Sequence, residues 1–182
     1  MSQSAVTELT WQTLPEGDRL AILALDRPEA ANAFSAQMMR ELTAHFENLQ
    51  GLTDVRVVIV KSNGKHFSAG ADLNWMKESA ALDYDANIQD AGKLTAMFEA
   101  MQALPQPTVA AVNGAVYGGA VGLVACADIV VCGAKARFCL SEVKLGLLPA
   151  VIVPYLARRI RPASLRRYAL TAQVFDAAEA KR

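Results

Sequence analysis

Two stretches of small residues stand where a chain can offer bare backbone amides to a ligand. The first is Ser68-Ala69-Gly70-Ala71, within His66–Lys77 (HFSAGADLNWMK). It follows the apolar run Val55–Lys61 (VRVVIVK) across the polar turn Ser62–Lys65. The second is Asn113–Gly122 (NGAVYGGAVG), after the strand-like Thr108–Val112. A strand, a loop of small residues and a helix together leave N–H groups without intrahelical partners at the carboxyl end of a sheet. Two such loops aimed at one oxygen make an oxyanion hole, which stabilises charge as it develops on a carbonyl. The matching acid or base is Glu142, in Leu140-Ser141-Glu142-Val143, with apolar neighbours. Burial raises a carboxyl pKa toward working pH, as proton transfer requires. Taken singly, each feature has a plainer reading: the glycines permit tight turns, and Glu142 caps a surface turn.

The elements that must position these groups follow from periodicity. Trp11–Thr13 and Leu20–Leu25 (LAILAL) read as strands around Pro15–Asp18. Pro28 makes 26–32 a polar loop. Ser35 is an N-cap for a helix to about Gln50, with Met38, Met39, Leu42, Phe46 and Leu49 at helical spacing. Val55–Val60 is apolar at nearly every position, as in a parallel strand covered on both faces. Tyr84–Leu104 is amphipathic, burying Ala91, Leu94, Met97, Phe98, Met101 and Leu104. Thr108–Val112 and Ile129–Cys132 are strands, Gly119–Ala127 is a short apolar helix, and Ala136–Leu140 is a further strand. The tail from Pro149 has helical tendency, with Pro162 at a first-turn position and Asp176 as a cap. The order is α/β.

Composition excludes several functions. At 182 residues and 53% hydrophobic content, one globular domain with a substantial core is expected. Eighteen basic and eighteen acidic residues cancel, which removes any global attraction to nucleic acid or an anionic membrane. No apolar run approaches the roughly 20 residues of a membrane span. The N-terminal MSQSAVTELTWQ lacks the basic start and apolar core of a signal peptide. Cys126, Cys132 and Cys139 match no zinc spacing and are expected as buried, reduced thiols in a cytoplasmic protein. Nothing clusters like a metal site, and Gly118–Gly122 is not a dinucleotide fingerprint.

Phe67–Leu73 (FSAGADL), Asn113–Leu123 (NGAVYGGAVGL) and Phe138–Pro149 (FCLSEVKLGLLP) together resemble the enoyl-CoA hydratase/isomerase (crotonase) superfamily, in order and at suitable spacing from Leu20 onward. LNWMK, YGGAVGL and LSEVKLGL most resemble bacterial methylglutaconyl-CoA hydratases and their isoprenoid-acid relatives. The resemblance implies a crotonase-like fold of repeated strand-strand-helix units. It would form one domain over 1–182, with 149–182 opening a C-terminal helical region cut short at Arg182. It places the oxyanion donors on the N–H groups of Ala69 and Gly119 and the catalytic carboxylate on Glu142. Coenzyme A, as part of the substrate and not a cofactor, would lie along Arg27, Ala30 and Ala31 and along Ser68, Gly70, Ala71, Asp72 and Leu73. Tyr117 and Gly118 would flank the acyl group, with Asn74, Trp75 and Met76 as candidate walls. Asp72 reads equally as the N-cap of a helix beginning near Asn74. A homotrimer or a dimer of trimers is implied.

One departure bears on the reaction. Two-carboxylate hydratases carry a second glutamate where this chain has Gly122, so Glu142 alone must orient water and relay its proton. The expected reaction is hydration of 3-methylglutaconyl-CoA or a related branched enoyl-CoA. One base also suffices for an enoyl-CoA Δ3–Δ2 isomerase, and an idle acyl-CoA or RNA binder is a further alternative. Lys77 and His66 read as solvent-facing, His45 has no evident acidic or cysteine partner, and Arg158, Arg159, Arg161, Arg166 and Arg167 read as a solvated or subunit-contact patch.

Overall fold

The computed structural model describes residues 4–182; Met1–Gln3, the start of the stretch read against a signal peptide, lie outside the described residues. Strands β1 (Thr7–Thr13) and β2 (Arg19–Leu25) form an antiparallel hairpin. β1 begins four residues earlier than Trp11. Only Thr7 in it is buried, so its polar residues mask the apolar alternation that marks a strand. β2 then pairs in parallel with β3 (Val55–Ser62), and β3 with β4 (Thr108–Val112). β5 (Ala115–Tyr117) leaves this sheet, and β6 (Ile129–Cys132) rejoins it beside β4, giving the order β1-β2-β3-β4-β6. β6 is an edge, with Ile129 and Val131 exposed by 55% and 58%.

The helices form where apolar periodicity places them. α1 (Ala36–Gln50) is capped by Ser35, whose hydroxyl oxygen accepts from the Met38 N–H. It buries the five expected residues, Met38 to Leu49. α2 (Leu73–Ala80) follows Asp72 directly. α3 (Tyr84–Gln102) packs Leu94, Met97, Phe98 and Met101 into the core beside α1, and also buries Asp90, which apolar spacing does not anticipate. α4 (Gly119–Cys126) is buried on nearly every face. One core cluster runs from Leu23 through Phe34, Phe67 and Phe98 to Tyr168 and Phe175. A smaller cluster of Ala21, Leu49, Val55 and Val58 covers the other end of the sheet.

A second sheet, order β5-β7-β8, holds β7 (Arg137–Cys139) and β8 (Phe175–Asp176). The expected strand at Ala136–Leu140 is therefore real but lies outside the main sheet. β5 falls inside a stretch read as open loop, and at three residues it is too short for periodicity to reveal. The tail holds α5 (Val153–Leu156), α6 (Pro162–Thr171, Pro162 in its first turn) and α7 (Ala177–Lys181), capped by Asp176. No helix among the described residues is long and apolar enough to cross a membrane. Cys126 and Cys139 are buried, Cys132 only half-buried, and all three are free. Burial pushes the Cys126 thiol up to about 12.

Gly122, inside α4, is fixed by its neighbours. A β-carbon there would lie 2.7 Å from Ile152 Cγ2 and 2.8 Å from Phe98 Cζ. Alanine gains about 1 kcal/mol of helix propensity over glycine, whereas overpacking a filled core costs about 1–3 kcal/mol. Gly122→Ala should therefore lower the denaturant midpoint; an equal or higher midpoint would show that Ile152 yields freely.

Candidate active site

Three chain segments run side by side in one direction and end together. Ser68 pairs in parallel with Val116: its N–H donates to the Ala115 carbonyl (3.1 Å), and the Tyr117 N–H donates to the Ser68 carbonyl (3.0 Å). β5 pairs in parallel with β7, Tyr117 opposite Cys139, and the Gly118 N–H donates to the Cys139 carbonyl (2.9 Å). Beyond these pairings emerge Ala71, Gly119 and Glu142, the last opening a short 3-10 turn, Glu142–Leu145.

Hydrogen bonding decides which amides are free. The Ala69 N–H donates to the Ala31 carbonyl (2.9 Å), so it is not available to a ligand oxygen, contrary to expectation. The Gly70 N–H donates to Ser68 Oγ (3.2 Å) and the Asp72 N–H to the Phe34 carbonyl (3.0 Å). The Ala71 N–H has no acceptor among the described residues. Gly119 is the first residue of α4, where an N–H has no intrahelical partner. Ala71 and Gly119 each lie three residues beyond the Ser68–Val116 pair, and of the two alanines flanking Gly70 only Ala71 has a free N–H.

Close backbone approach needs glycine here. Gly70 has φ +93°, and a β-carbon on it would lie 2.7 Å from the Tyr117 carbonyl oxygen. Gly118, at φ +52°, admits the Glu142 carboxylate: a β-carbon would lie 3.3 Å from Glu142 Oε1. Leu94 and Phe34 pack against the open side of Gly119.

Glu142 is half-buried, and its Oε2 has no hydrogen-bond partner among the described residues. Burial raises its pKa above the ordinary glutamate value. No second carboxylate faces it from position 122, where Ile152 and Phe98 fill the space beside Gly122.

The surrounding loops brace this arrangement. Arg27 Nη1 donates to Asp72 Oδ2 (2.6 Å), while Asp72 Oδ1 accepts from the Asn74 and Trp75 N–H groups. Asp72 is thus an N-cap and ion-pair partner, with both oxygens committed inside the protein. Burial opposes its ionisation, but Arg27 and the two amides outweigh that and hold its pKa low. Ser68 is wholly buried and serves the loop, not a ligand. His66 is not solvent-facing: its Nδ1 accepts from the Ala115 N–H (3.2 Å). At His45, burial lowers the pKa and the Glu41 charge partly opposes this.

Asn32 is the residue that sequence reasoning missed. It is fully buried at φ +52°; its Oδ1 accepts from the Arg27 N–H, and its Nδ2 donates to the Asn63 and His66 carbonyls. Its position after Pro28 in a polar loop was the available signal, since asparagine tolerates left-handed backbone better than most residues.

Among the other expected contacts, Arg27 leads into a 3-10 turn over Pro28–Ala30, and Ala30 and Ala31 are half-buried there. Leu73 is 69% exposed, Gly118 is buried, and Tyr117, Trp75 and Met76 are half-buried. Asn74 and Lys77 are exposed. Arg159 is exposed like the rest of the arginine patch, and its guanidinium donates to the carbonyls of Ala125, in the last turn of α4, and Asp128. A cavity of about 690 Å³ opens elsewhere, lined by Val124, Ile160, Tyr168 and Phe175, and none of Ala71, Gly119 or Glu142 lines it.

Known proteins share this fold. The family model for enoyl-CoA hydratase/isomerase matches residues 16–182. An enoyl-CoA hydratase structure from Shewanella pealeana is 42% identical with a TM-score of 0.88, covering 94% of this chain and 64% of its own. Pseudomonas aeruginosa AtuE is 36% identical with a TM-score of 0.87, covering 94% of this chain and 66% of its own. A carnitinyl-CoA dehydratase from Citrobacter koseri is 38% identical over 88% of this chain and 60% of its own length. The chain therefore spans two thirds or less of the length of each. With its fold and most of its length matched, the chain belongs to the enoyl-CoA hydratase/isomerase family.

Proposed function

We propose that this chain carries the site for adding water across the double bond of an α,β-unsaturated acyl-CoA. The observation that supports it most is the grouping of two unpartnered amides, Ala71 and Gly119, with the buried, unpartnered carboxyl oxygen of Glu142. The thioester oxygen accepts from both N–H groups, which stabilise the charge that gathers on it as the β-carbon is attacked; one such donor is worth about 10²–10³ in rate. Glu142, ionised, takes a proton from water as its oxygen bonds to the β-carbon. The same carboxyl then returns that proton to the α-carbon as the enolate collapses. One acid suffices because the two proton transfers are sequential, and the apolar packing at Gly122 leaves no other group to share them.

The acyl chain is proposed to be 3-methylglutaconyl or a related branched enoyl group, on the wording of LNWMK, YGGAVGL and LSEVKLGL. Coenzyme A would run along Ala30–Ala31 and past Ala71, and Trp75, Met76 and Tyr117, half-buried beside the free amides, would wall the acyl group.

Incubation with 3-methylglutaconyl-CoA should yield the hydroxyacyl thioester. A shifted double bond from a 3-enoyl-CoA, with no hydration, would hand the site to isomerisation instead. Glu142→Gln should lower kcat by about 10²–10⁴ while acyl-CoA binding survives; unchanged turnover would remove Glu142 from the mechanism. The base must be ionised, and its pKa is raised, so the acid limb of kcat/KM should fall above 4.5, the ordinary glutamate value, with activity lost as pH drops through it.

A further inference from the structure

The mechanism leaves one buried carboxylate unused. Asp90 lies on α3 and is only 6% exposed. It accepts from Lys93 Nζ (2.6 Å) on its own helix and from the Ser79 hydroxyl on α2. The indole N–H of Trp75, also on α2, is buried without a hydrogen-bond partner among the described residues. Asn87, one turn before Asp90, donates through Nδ2 to the Ser79 carbonyl (2.8 Å).

These contacts fall on an element that has little else to hold it. α2 is eight residues long and contributes no fully buried side chain. A helix that short does not persist in water by itself, so its place depends on tertiary contacts. Burying a carboxylate between two helices is costly, and an apolar residue of similar size would glue them at least as well. What the polar cluster adds is a directional tie, which apolar packing does not supply.

The location of the tie gives it meaning. α2 starts at Leu73, two residues after Ala71, and Asp72 caps it. Leu94, one turn beyond Asp90 on the same face of α3, packs on Gly119. α3 thus packs beside Gly119 through Leu94 and ties the helix that follows Ala71 through Asp90.

We propose that Asp90 is a positioning residue: through Ser79 it fixes α2, and hence Ala71 and Trp75, relative to the Leu94-supported Gly119. This rests on the hydratase reading for its catalytic consequence, though not for its structural one. Asp90→Leu and Ser79→Ala should each lower kcat by about 10- to 100-fold, the scale of a small misplacement at the reacting centre. KM should change much less, and Asp90→Leu should keep the wild-type melting temperature while still losing turnover. The Ser79→Ala/Asp90→Leu double variant should be no slower than Asp90→Leu alone, because both remove one tie. Amide hydrogen exchange over Ala71–Lys77, without substrate, should quicken in all the variants. Folded variants with wild-type kcat and wild-type exchange would overturn the proposal, as would a loss of kcat that merely tracks melting temperature. If the wild-type chain itself hydrates nothing, the hydratase reading fails, and the exchange measurement alone decides whether Asp90 holds the loop.

Discussion

The missing β-carbon at Gly70 is the constraint on which the site depends. A β-carbon there would sit 2.7 Å from the Tyr117 carbonyl oxygen, closer than side-chain carbons approach. Without that obstacle the Ser68 segment lies flat against β5, and β5 against β7, so three paired segments stop at the same level. Each free group at the site is a ladder end. Ala71 is free because its neighbours Ala69, Gly70 and Asp72 are bonded; Gly119 is free because a helix starts there; Glu142 is near because Gly118 has no side chain. The preorganisation that an oxyanion site needs is paid for in ordinary backbone pairing.

The carboxylate is tuned by the same arrangement. Glu142 sits against a glycine backbone with one oxygen unpartnered, so burial acts on it with little to offset it. Asp72, the residue after Ala71, meets the opposite treatment: Arg27 and two amides keep it ionised. Burial leaves one acid easier to protonate, as the proposed hydration requires, and the ion pair fixes the other as structure.

Much of this was legible in the sequence, for reasons that also mark its limits. β2, β3, β4, α1 and α3 announce themselves because long apolar periods survive burial. The two small-residue loops and Glu142 stand out because their types and order are unusual together. The identity of the free alanine does not, since Ala69 and Ala71 flank Gly70 symmetrically, and only the strand register and the Ala31 carbonyl separate them. Asn32 is invisible because its value lies in contacts with Asn63 and His66, distant in sequence. Asp90 hides in a helix whose pattern predicts an apolar face, and a strand as short as β5 carries too few residues to show a period.

β6 has a consequence of another kind. Its four residues, Ile129-Val130-Val131-Cys132, form a sheet edge with no charge and no proline, and Ile129 and Val131 are largely open to water. Such an edge is a template for strands of other molecules, and proteins usually blunt it with a lysine or a covering segment. The edge contributes no group to the catalytic cluster. Association at this edge and the proposed chemistry are therefore separable traits: Val131→Lys would guard against fibrillar association without touching Ala71, Gly119 or Glu142.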